Sequence, residues 1–315
     1  MQCRYARRPV TIRSHSPDKE YNAVSAPAQA LLWGAFAPAL FVVLWSTGFI
    51  GAKAGLPYVK PFTFVALRYA IVVALMLPVA LAVRAAWPRR VADIGHLAMV
   101  GLLIHAVYIG CVFAAIDQGL PAGVVALVVG LQPLLTATLV GPVLGEHVRA
   151  QAWFGLLLGL GGVALVLWDK LAFDRATGGA VMLAVLALVG ITVGTIYQKR
   201  FCAQADLRSG AVIQYSAAGL ACLTIAALLE PMRVAWSTEF VLTLAWLAIV
   251  LSIGTVSLLY LLIRRGAAAK TASLFYLVPP VTALFAWLLF GETLSILAIA
   301  GMGLAMLGVA LVQKG

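Results

Sequence analysis

Apolar residues dominate the chain in long runs that polar residues interrupt at regular intervals. Ten such runs lie at about 31–52, 62–83, 92–116, 121–143, 150–168, 178–198, 209–229, 239–262, 267–290 and 294–312. Each is near the roughly 20 residues that an α-helix needs to cross the hydrocarbon core of a bilayer. The alternating ten-residue segments of a membrane β-barrel are absent. The pattern therefore predicts an all-α polytopic membrane protein with ten transmembrane helices. Residues 1–30 differ: they are polar, carry five cations, and read as a disordered cytoplasmic tail.

Composition agrees with the pattern. Of 315 residues, 63% are hydrophobic and 10% charged, against about 25% charged in a soluble domain. A soluble enzyme is excluded, and so is a sizeable extramembrane domain. The formal net charge of +11 would suggest nucleic acid in a soluble chain. Here it has a topological reading, because Lys and Arg collect in cytoplasmic loops. With the N-terminus inside, sixteen cations fall on the inner side, five (Lys53, Lys60, Lys170, Arg175, Arg233) on the outer side, and Arg68 within a span. This bias predicts both termini in the cytoplasm and an inner-membrane location, with lipid and a small molecule as partners and no nucleic acid. Assembly as a homodimer stays open.

The chain also repeats itself. Residues 122–166 align without a gap to 268–312, pairing Pro133 with Pro279, Thr136 with Thr282 and Gly145-Glu146 with Gly291-Glu292. The same offset of 146 pairs Lys53 with Lys199 and Tyr69 with Tyr215. Two units follow, 31–168 and 178–312, each of five spans. Because five is odd, the second unit enters the membrane inverted. Inverted repeats are a common plan of secondary transporters, with the substrate site near the midplane between the repeats.

Leu44-Trp-Ser-Thr-Gly-Phe-Ile-Gly-Ala-Lys53, Pro61 to Arg68, Pro133 to Glu146 and Pro279 to Glu292 together resemble the EamA-type branch of the drug/metabolite transporter superfamily. The resemblance covers residues 31–315. It implies a ten-helix bundle with a central cavity that moves small metabolites such as amino acids, usually outward.

Candidate residues follow from the cost of polarity in lipid. A charge at the helix centre costs about 2.5–3.5 kcal/mol, so Arg68 should face the interior and have a partner. That partner is either a substrate carboxylate or, slightly favoured, Asp117 in a structural pair. His105 and Tyr108 share a helix face. Trp45, Ser46, Thr47, Thr195, Tyr215, Thr255 and Tyr276 are further pathway candidates, and the aromatic ones offer stacking surfaces. Pro133 and Pro279, at mid-span, are expected to kink or hinge their helices beside the cavity. Glu146 and Glu292 are expected to be structural, each held by the helix N-terminus it begins. Lys53 and Lys199 read as snorkelling residues at the interface. Spans 5 and 10, poor in polar residues, are expected to be scaffold, with Gly155-x-x-x-Gly159 packing against a helix of this or another chain.

No catalytic residues, metal ligands or cofactors are assigned. The two span histidines, His96 and His105, face opposite ways, no carboxylate lies mid-span, and no nucleotide-binding loop is present. A membrane-embedded enzyme is thereby disfavoured. Uptake or exchange of phosphorylated or other organic-anion metabolites is the alternative transport reading, and the phosphorylated class would want several embedded cations where the sequence offers Arg68 alone.

Overall fold

A computed structural model describes residues 36–120, 125, 128–168, 178–266, 268–290 and 295–314. Nearly all of these are helical. The helices are α1 (Ala37–Gly55), α2 (Pro61–Ala82), α3 (Val91–Asp117), α4 (Gln132–Leu144), α5 (Ala150–Leu167), α6 (Gly178–Phe201), α7 (Leu207–Leu229), α8 (Thr238–Arg265), α9 and α10 (Ile296–Lys314). α9 is broken into Ala268–Ser273, a tight 3-10 turn over Leu274–Leu277, and Val278–Phe290. Among the described residues, seven helices (α1, α2, α3, α6, α7, α8 and α10) are long and apolar enough to cross a membrane.

Local chemistry sets the starts. Pro61 opens α2 directly after the extended Lys60, where a missing N–H costs nothing. Asp206 caps α7 through the Arg208 amide, and Ser237 caps α8 through the Phe240 amide. The α2 N-terminus is capped from another helix end: Glu230 accepts from the Phe62 and Thr63 amides at 2.9 and 2.7 Å, and from the Thr63 hydroxyl.

The offset of 146 reappears in three dimensions. α3 and α8 each carry a π-helical stretch, Gly101–Ile109 and Leu247–Thr255, at equivalent positions of the repeat. Such wide turns are rare and frequent at functional sites. Packing is paired in the same way. α5 lies along α10, and α2 along α7. α3 and α4 rest on α6 as α8 and α9 rest on α1.

Pro133 and Pro279 depart from expectation. Neither sits inside an unbroken helix. Pro133 follows a turn as the second residue of α4, and Pro279 follows the 3-10 turn as the second residue of Val278–Phe290. Proline lacks an N–H, so it is accommodated in a first turn, and both helices restart there.

α5 and α10 meet backbone to backbone. A Cβ on Gly155 would lie 2.7 Å from the Gly308 carbonyl oxygen, and one on Gly162 would lie 2.4 Å from the Ala305 nitrogen. Gly155 and Gly159 thus have their close-packing partner within the same chain.

Candidate functional site

The sequence draws several polar and aromatic side chains to the middle of the bundle. α1 contributes Trp45, Gly48, Phe49 and Ala52. α2 contributes Arg68, α3 contributes His105, Tyr108 and Phe113, and α8 contributes Leu251. They line a cavity that encloses about 540 Å³, its open mouth included. The lining comes from the C-terminal half of α1, the N-terminal half of α2 and the C-terminal half of α3, so the cavity lies toward one end of the bundle.

Arg68 is 4% exposed. Its Nε donates to Ser252 Oγ at 2.7 Å, and its guanidinium carbon lies 5.8 Å from the centre of the Tyr69 ring. The expected pair with Asp117 does not form. Asp117 instead accepts from Lys60 at 3.1 Å, where the start of α2 meets the end of α3. Both groups stand at the ends of neighbouring helices, whereas Arg68 lies two turns deeper in α2.

His105 is held by aromatic rings. It stacks on Tyr215 at 4.2 Å between centroids and meets Tyr69 edge-on at 5.7 Å. Its Nε2 is 3.3 Å from the Tyr260 hydroxyl, which donates to Gln214 Oε1 at 2.7 Å, and Gln214 Nε2 donates to Gln198 Oε1 at 3.2 Å. This buried chain runs from the cavity wall through α8 and α7 to α6. Tyr69 and Tyr215, equivalent in the repeat, donate to the backbone carbonyls of His105 and Ser252. Both of those carbonyls belong to π stretches.

Four of the sequence candidates, Trp45, Arg68, His105 and Tyr108, line the cavity. Trp45 and Tyr108 lie nearly parallel, 6.5 Å apart. The other candidates lie behind or away from it. Ser46 donates to the Val42 and Val278 carbonyls, tying α1 to the restart of α9. Thr47 accepts from the Trp246 indole on an outer face. Thr195 donates to its own helix at Ile191. Thr255 donates to Val250 O, five residues back. Tyr276 packs its ring against Gly159, and its buried hydroxyl has no partner among the described residues. The Gln132 amide and the Thr136 hydroxyl share that condition, on the α4 face beside Pro133. Gln132 was not singled out from the sequence, although a lone amide next to a mid-span proline is a readable signal.

The other end of the bundle carries a charged cluster. Lys199 Nζ pairs with Glu146 Oε1 at 2.5 Å and donates to the Gly266 carbonyl at 2.7 Å. Glu146 Oε2 accepts from the Ala268 amide at 3.0 Å. Two expectations are corrected. Glu146 is held by Lys199 and the first amide of α9, not by α5, which it precedes. Lys199 is fixed by this pair instead of snorkelling freely. Gly145, at φ +69°, turns the chain out of α4 and delivers Glu146 to this contact. Glu292 lies outside the described residues. Nearby, Asp206 is bound by Arg208 and by the Ala86 amide, which hold its carboxyl well below the usual range.

Among the described residues no group of three or more His, Cys, Asp or Glu side chains is arranged to hold a metal. Among the described residues the cavity offers one cation, one imidazole and a wall of aromatic and aliphatic side chains.

The EamA-like transporter family model matches the chain twice, over residues 32–168 and 178–313. The chain belongs to this family. The uncharacterized inner membrane transporter YedA of Escherichia coli (strain K12) is 29% identical over 282 residues, covering 88% of this chain and 89% of its own. A probable amino-acid metabolite efflux pump of the same organism is 26% identical, covering 88% and 91%. The uncharacterized transporter YvbV of Bacillus subtilis (strain 168) is also 26% identical. A solved crystal structure with 22% identity superposes with a TM-score of 0.74 over 90% of this chain and 97% of its own, which shows a shared fold. This EamA chain is therefore a membrane transporter, and the names of its relatives point to transport and not to catalysis.

Proposed function

We propose that the chain is a secondary transporter that exports small carboxylate-bearing metabolites, amino acids or related compounds, by alternating access. In this reading ten spans form two inverted five-helix halves in the inner membrane, with both termini cytoplasmic. The observation that carries it is the cavity. It lies between helices of both halves, toward one end of the bundle, while the Lys199–Glu146–Ala268 cluster ties the other end. The equivalent π stretches and paired helix contacts support two related halves that exchange roles. The probable amino-acid efflux function named for one relative supports the cargo class.

The test is counterflow in proteoliposomes. The purified chain, reconstituted with an internal pool of unlabelled amino acids and without ATP, accumulates the labelled compound that it carries. Accumulation no greater than in protein-free vesicles, across a panel of amino acids and organic acids, would refute the reading.

A further inference from the structure

Among the described residues Arg68 is a buried cation without a counter-ion. The carboxylates among them are engaged elsewhere or exposed. Asp117 is on Lys60, Glu146 on Lys199, Asp206 on Arg208, Glu230 on the α2 amides and Glu239 on the Tyr58 hydroxyl, while Asp93 is exposed at the start of α3. The guanidinium spends Nε on Ser252, and the side chain lines the cavity. A neutral serine does not offset a buried charge. The rest of the wall includes Trp45, Phe49, Tyr108, Phe113 and Leu251, and among the described residues no lining side chain carries a negative charge.

We propose that the cavity takes an amphipathic organic monoanion whose carboxylate supplies the missing counter-ion of Arg68 and whose apolar or aromatic body lies against Trp45, Phe49, Tyr108 and Phe113. This rests on the transporter reading and its carboxylate-bearing cargo, and departs from free amino acids in favour of related compounds whose amine is absent or blocked. A free ammonium would be desolvated in a site that offers it no carboxylate, beside a fixed positive charge. A phosphate dianion would bring a second negative charge, and the lining holds one cation to meet it. Ser252 keeps the guanidinium in place, and the Tyr69 ring beside it attracts the cation without neutralising it.

The experiment uses three probes with similar phenylalkyl bodies: 3-phenylpropionate, phenylalanine and 2-phenylethylamine. Calorimetric titration of the purified full chain in detergent should give binding of 3-phenylpropionate at least about tenfold tighter than phenylalanine, the step expected of burying one uncompensated ammonium beside the Arg68 charge. 2-Phenylethylamine should not bind. Arg68→Gln should remove the preference, and Arg68→Lys should keep its direction at lower affinity. Equal or tighter binding of phenylalanine or the amine by the wild-type chain overturns the proposal, as does binding of none of the three. An unchanged preference in a folded Arg68→Gln chain also overturns it. The wild-type series stands even if that variant fails to fold. Counterflow separates this from the parent reading. Flux with no carboxylate preference overturns the substrate class alone. Selective binding with no flux overturns transport alone.

Discussion

Tyr260 shows what one hydroxyl does in this bundle. It bridges His105 on α3 and Gln214 on α7 from its own place on α8. In Tyr260→Phe the Gln214 carbonyl oxygen loses its donor in a buried site, which costs about 1–3 kcal/mol. A lower unfolding temperature in detergent, with the fold retained by circular dichroism, is the expected result. At this scale the sequence was informative about type and poor about pairing. Arg68, His105, Tyr108 and Trp45 stood out because polar and aromatic groups are costly or conspicuous in apolar runs, and all four line the cavity. Their partners did not stand out. His105 and Tyr260 are 155 residues apart, and no periodicity links them. Asp117 was matched to Arg68 by depth alone, while the nearer Lys60 lay at the neighbouring helix end.

Helices and their ends were largely readable. The apolar runs give the helices to within a few residues in most cases, and the offset of 146 foretold that features would recur in pairs. It did not foretell what would recur. The π stretches of α3 and α8 share no composition signal: Ser252 and Thr255 reach carbonyls five residues back in α8, whereas the α3 stretch has no Ser or Thr. The helix ends also carry two testable contacts. Glu146 and Lys199 are neighbours, so their substitutions should be non-additive. A double-mutant cycle with Glu146→Gln and Lys199→Gln is expected to show a coupling of about 0.5–3 kcal/mol by thermal unfolding. At the α6–α7 corner, the carboxyl of Asp206 is depressed by Arg208 and the Ala86 amide. A depressed carboxylate stabilises the folded state above its unfolded value, about 3.9, and that contribution is lost as the pH falls through the folded value. Hydrogen exchange at residues 202–209 should therefore show weaker protection at a pH of about 3 than at about 7, after correction for intrinsic rates. Asp206→Asn should flatten the difference.

Across the whole molecule, charge, repeat and packing make one arrangement with two ends. One end joins the α1–α2 and α7–α8 loops, through the Val59–Val234 bridge, Tyr58 on Glu239 and Lys60 on Asp117. The other gathers Lys199, Arg200, Arg208 and Arg264 onto carboxylates and carbonyls. If the cation bias sets the topology, single cysteines placed at the two ends differ in access. Lys53→Cys should react with a membrane-impermeant maleimide in intact cells, and Arg84→Cys only after permeabilisation. The reverse pattern would invert the topology. The seam between α5 and α10 limits how this molecule can change over time. Where two side chains meet, a larger residue on one helix is offset by a smaller one on the other. At Gly155, Gly162 and Gly308 the obstacle is main chain. No second substitution can yield that space, so these positions have no compensating partner, and variation in the chain must accumulate elsewhere.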